Sequence, residues 1–68
     1  MDLNERSRLL KRMSLMGEYN NDQLWRLTYE LTEAQGKMLW ALVLKNKKEE
    51  LKSVIMDLVQ QYGIKEQV

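Results

Sequence analysis

The chain of 68 residues contains no cysteine, no histidine and no proline, and only three glycines. Without cysteine there is no disulfide and no zinc–thiolate site to staple a small fold. Without histidine the commonest general base near neutral pH is missing, and so is the commonest nitrogen ligand for metals. Ser-His-Asp and Cys-His constellations are therefore excluded in their usual form. The three glycines, Gly17, Gly36 and Gly63, form no phosphate-binding loop. Three local pairs come nearest to chemistry. Ser7 and Lys11 stand one helical turn apart on a face expected to be solvated, where nothing depresses the lysine pKa. Glu30 with Glu33, and Glu49 with Glu50, lack a third ligand for a cation. A non-enzymatic protein with no cofactor and no metal is expected.

Long hydrophobic runs are missing too. The longest, Met38 to Leu44, is far short of the roughly 20 apolar residues of a membrane span. Arg6, Arg8, Lys11 and Arg12 near the start are followed by an apolar stretch that Ser14, Gly17 and Glu18 interrupt, so no secretory signal is read there. The expected setting is the cytoplasm, with no membrane partner.

What is present is helical. Leucine is the commonest residue, with 12 copies, and β-branched residues are sparse. No stretch alternates with the period of a half-buried strand. The expected fold is all-α: a short N-terminal helix followed by a long antiparallel helical hairpin, one small domain over 1–68. The helices are placed at about 4–16, 21–45 and 47–62, with 65–68 frayed.

The first helix gathers Leu9, Leu10, Met13 and Met16 on one side, with Arg8, Lys11 and Arg12 on another. Gly17 is expected to end it in the left-handed conformation. Asn20 and Gln23 have the spacing of a capping box for the second helix, as do Asn46 and Glu49 for the third. In the last helix Leu51, Val54, Ile55, Leu58, Val59 and Tyr62 share a stripe. Gly63 then falls at the C′ position, with Val59 and Ile64 placed as the hydrophobic pair of a Schellman closure.

The central segment is the most informative. Leu24, Leu27, Leu31, Ala34, Met38 and Ala41 keep a heptad-like spacing, which favours one helix over 21–45. Arg26–Glu30 and Glu33–Lys37 are expected as i,i+4 ion pairs on its polar side. Thr32-Glu33-Ala34-Gln35 also reads as a capping box, which would kink or break the chain near 31–32. A second apolar stripe, Trp25, Tyr29, Gly36, Trp40 and Val43, lies beside the first. Together they cover well over half of the helix, more than one partner face requires. These five residues are the candidate interface, and glycine at 36 would let another helix approach closely. The expected assembly is a homodimeric helical bundle, and the expected role is a small regulatory or adaptor protein. Its partners would be itself and another protein of unspecified identity.

A second reading rests on charge. The net charge is only +1, but its distribution is uneven. Arg6, Arg8, Lys11 and Arg12 form one basic cluster, and Lys45, Lys47, Lys48 and Lys52 another. In a dimer each would appear twice and could follow phosphates, with Arg8, Lys11, Arg12, Lys47 and Lys48 as the contacting residues. No helix carries exposed Arg, Asn and Gln at a base-reading spacing. That counts against it, and the alternative stands as a small dimeric nucleic-acid-binding protein using the two clusters on phosphates.

Overall fold

In the computed structural model, which describes residues 1–66, the chain forms four helices: α1 (Leu3–Met16), α2 (Asn21–Glu30), α3 (Glu33–Leu44) and α4 (Lys48–Gln61). No strand occurs among the described residues. None of the four helices is long and apolar enough to cross a membrane. The all-helical expectation holds. The frayed end expected at 65–68 lies partly outside the described residues, and Lys65 and Glu66 have no regular structure.

Local chemistry sets the boundaries. Asp2 caps α1, its side chain accepting the Glu5 N–H at 2.8 Å, and Glu5 sits in the first turn where the helix dipole favours an anion. Asn20 caps α2 by accepting the Gln23 N–H at 3.0 Å. The Gln23 amide does not complete a capping box. It donates instead to the Ile64 carbonyl oxygen at 3.1 Å, tying the start of α2 to the segment after α4.

The single central helix expected over 21–45 is two helices. Leu31 takes an extended conformation, and Thr32 caps α3 with both halves of a capping box. The Thr32 hydroxyl accepts the Gln35 N–H at 3.1 Å, and the Gln35 side-chain oxygen accepts the Thr32 N–H at 3.0 Å. The Tyr62 hydroxyl donates to the same Gln35 oxygen, so α4 also anchors the joint. The heptad spacing runs on through the break, but the geometry does not. Leu24, Leu27, Thr28 and Leu31 are buried before it, and Gly36, Leu39 and Val43 after it. On one straight helix those two sets would point about a quarter-turn apart. The extended link re-aims α3 so that Leu39 and Val43 reach the core, and it turns Ala34, Met38 and Ala41 out to solvent.

Two Schellman closures end α3 and α4. At the second, Ile64 N–H donates to Val59 O at 3.0 Å and Gly63 N–H to Gln60 O at 3.2 Å, with Gly63 at φ 64°. That closure is the one the spacing predicts. At the first, Asn46 takes φ 56°, Asn46 N–H donates to Val43 O at 3.1 Å, and Lys47 N–H to Leu42 O at 3.0 Å. Asn46 is therefore the C′ residue of α3, not the N-cap of the next helix. Asparagine serves because its short polar side chain tolerates the left-handed region. No side chain caps α4, whose first turn instead holds Glu49 and Glu50.

Gly17 also departs from expectation. It follows α1, but its backbone is extended (φ −173°, ψ 173°), a conformation open to any residue. Its use is spatial: a Cβ there would lie 2.8 Å from the ring of Tyr19. The ion pairs differ as well. Arg26 bonds Asp22 at 2.6 Å rather than Glu30, and no ion pair joins Glu33 to Lys37.

Helix α1 packs against α2 and α3, and α3 packs against α4. The core joins Leu9 and Met13 of α1, Leu24 and Leu27 of α2, and Leu31 at the joint to Leu39, Val43, Leu51, Ile55 and Leu58 of α3 and α4. It has no orphaned buried polar side chain among the described residues.

Candidate functional site

The five candidate interface residues do not form one face. The break at 31–32 separates them into two places. Val43 is a core residue. Gly36 is buried beneath the N-terminal methionine, where an added Cβ would meet the Met1 methyl at 2.5 Å. The close approach that Gly36 allows is thus made by Met1 of the same chain. Trp40 is half-buried beside it and lines a shallow hollow with Glu5, Glu33 and Lys37. Neither Gly36 nor Val43 is open to a second chain.

Trp25 and Tyr29 lie on α2, where they meet Arg6 of α1. The Arg6 guanidinium carbon lies 4.0 Å from the Trp25 ring centroid and 5.2 Å from that of Tyr29. Its Nε–H donates to the Thr28 hydroxyl at 3.2 Å, and a terminal N–H to the Trp25 carbonyl oxygen at 3.1 Å. The Thr28 hydroxyl donates to that same carbonyl at 2.6 Å. Thr28 is the one polar side chain in the core among the described residues, and this knot satisfies it. Arg6 therefore leaves the basic cluster in which its sequence neighbours place it. A signal for this exists in the spacing. Arg6, Leu9, Leu10 and Met13 follow the i, i+3, i+4, i+7 rule, so Arg6 falls on the apolar side of α1.

The remaining basic residues of the two clusters are free. Arg8, Lys11 and Arg12 are exposed along α1, and Lys45, Lys47, Lys48 and Lys52 are exposed around the α3–α4 turn. None takes part in an ion pair among the described residues. The second cluster is diluted by acid, because Glu18 and Glu49 line the same hollow as Lys48 and Lys52. Tyr19 lines it too, and its phenol pKa is raised above 10.0, first by burial and then by the Glu49 carboxylate. Among the described residues no three acidic side chains converge to hold a metal ion.

An apolar face of α3 is left uncovered. Residues 38–44 are apolar without interruption, and seven successive residues reach every side of a helix. The core takes Leu39 and Val43. Met38 remains 43% exposed and Leu44 70% exposed. Ala34 and Ala41 are exposed beside them, and Lys37 and Lys45 share the same side of the helix. This face carries Ala34, Met38 and Ala41, the three members of the heptad stripe that follow the break. Comparison with known protein families, curated proteins and solved structures finds no match to this chain.

Proposed function

We propose that this chain is a small non-enzymatic regulatory or adaptor protein that works through protein–protein contact, and that the outward face of α3 is its contact surface. The observation that carries this reading is the uninterrupted apolar run 38–44, of whose seven residues Met38, Ala41 and Leu44 are exposed. A helix apolar on all sides is normally buried on all sides. The alanines at 34 and 41 let a second helix approach closely, while Met38 and Leu44 supply adaptable apolar contact. The first partner is a second copy. Glu33 stands at the start of α3, and Lys45 and Lys47 follow its end. Two such helices related by a two-fold axis and running in opposite directions set each acidic start beside the other's basic end.

Sedimentation of the wild type and of Ala41→Glu tests this. The wild type is expected to be a dimer at tens of micromolar, and the variant a folded monomer with an unchanged melting curve at low concentration. A wild-type monomer over that range refutes self-association. Exposed, unpaired Arg8, Lys11, Arg12, Lys47 and Lys48 favour one other reading, binding of nucleic acid through phosphates. It requires retention on DNA or RNA that falls steeply with salt.

A further inference from the structure

The Arg6 knot borders a groove of about 550 Å3, formed between α2 and the segment after α4. That size falls within the roughly 300–1,000 Å3 of small-molecule sites. Two features give it a chemistry. One is a cation with no counter-ion. Arg6 is partly buried, and no carboxylate lies within ion-pair distance of it among the described residues. Its guanidinium has five N–H donors, and among the described residues two groups, Thr28 Oγ1 and the Trp25 carbonyl, accept from it. Stacking on Trp25 holds the plane in place. A guanidinium immobilised in this way has already lost the freedom that binding an oxyanion would otherwise remove.

The other feature is an aromatic ring left in water. Tyr29 is 73% exposed at the groove wall, although it stands next to the cation. Ile64 supplies an apolar contact from the far side. Charge limits the ligand further. Arg26 lines the groove but is neutralised by Asp22 at 2.6 Å. The charges that remain on the lining are those of Arg6 and Lys65 against that of Glu30, an excess of one positive charge.

We propose that this groove binds a small ligand consisting of a flat ring that carries a carboxylate or a phosphate. The oxyanion sits on the free N–H edge of Arg6, with Lys65 nearby, and the ring rests against Tyr29 and Ile64. The site is independent of the α3 face and of any assembly through it.

Heteronuclear NMR of the full chain tests this, with four probes added separately: phenyl phosphate, phenylacetate, inorganic phosphate and phenol. Saturable shifts of the Arg6 Nε–H and the Trp25 indole N–H are expected with at least one of the two aryl anions. Which of the two binds more tightly identifies the oxyanion. Inorganic phosphate and phenol are expected to bind at least about ten-fold more weakly, since each lacks half of the ligand. Tyr29→Ala removes an exposed ring without disturbing the core and is expected to weaken binding about five-fold. Arg6→Lys keeps the charge but loses the flat stack, and is expected to weaken it further. Melting curves of both variants establish that they are folded. Three results overturn the proposal. One is no saturable shift with either aryl anion at millimolar concentration. The second is inorganic phosphate matching phenyl phosphate. The third is a folded Tyr29→Ala that binds as the wild type does.

Discussion

Replacing Arg6 by alanine should remove a large part of the stability of this protein, although Arg6 lies in what reads as a surface basic cluster. Its guanidinium lies 4.0 Å from the Trp25 centroid and makes two hydrogen bonds to α2. A partly desolvated cation–π contact is worth about 1–2 kcal/mol. Hydrogen bonds to a charged group are worth about 1.5–3 kcal/mol each. The three share one side chain, so they overlap and do not add. An upper limit also exists, because Thr28 keeps its own bond to the Trp25 carbonyl and no buried orphan is left behind. A loss of about 2–4 kcal/mol follows. Against a total of roughly 3–10 kcal/mol for a chain of this length, that is severe. The melting temperature should fall by about 10–25 °C. Arg6→Lys should recover only part of the loss, since lysine cannot make the planar stack and both bonds together. Thermal and urea unfolding read the effect directly, and a double-mutant cycle with Trp25→Leu isolates the coupling. A loss under about 0.5 kcal/mol for Arg6→Ala, the level of an ordinary surface substitution, would refute the reasoning.

Three further outcomes follow from the caps and from one tyrosine. Thr32→Ala removes half of the box that starts α3 and should cost about 1 kcal/mol in chemical denaturation; a neutral result would mean that the break at 31–32 does not depend on it. Asn46→Ala places a Cβ-bearing residue without a compensating polar side chain at φ 56° and should cost about 1–2 kcal/mol, while Asn46→Gly should not destabilise. Tyr19 holds its proton above pH 10.0 in the folded state because of burial and Glu49. The unfolded chain releases that proton first, so this contribution is intact below pH 10 and is lost as pH rises through the folded-state value. Tyrosinate absorbance should show a late step that vanishes in Tyr19→Phe and moves to lower pH in Glu49→Gln.

Much of this fold was legible because helix ends are written in short range. The Val59–Gly63–Ile64 closure depends on residues within six positions of one another, and the spacing alone places it. The Thr32–Gln35 box was equally visible. It competed with a heptad pattern that looked stronger, and periodicity has no means of registering a two-residue extended link. Such a link leaves residue numbers in phase while it rotates the helix axis, so Ala34, Met38 and Ala41 keep the spacing of the buried leucines and yet lie at the surface. Asn46 is ambiguous in the sequence because asparagine suits both the N-cap of one helix and the C′ position after another. The tertiary signals were the least legible. That Met1 lies over Gly36, or that Trp25 holds Arg6, depends on which helices meet. Only the place of Arg6 on the apolar side of α1 hinted at its role.

The two bonds that reach back from the end of α4 bear on the order in which the protein is made. Gln23 is held by Ile64 and Gln35 by Tyr62, across 41 and 27 positions of chain respectively. Helices α1, α2 and α3 can begin to pack before α4 has left the ribosome, since the contacts of α1 with α2 and α3 do not require it. The start of α2 lacks its tie to Ile64, and the joint at Thr32 lacks its brace from Tyr62, until residues 62–64 have also emerged. During that interval the apolar half of α3 that α4 covers is open to other chains. A ribosome stalled before residue 62 would therefore present a bundle that is helical but unlatched, and pulse proteolysis of such arrested chains should cut first around residues 31–32.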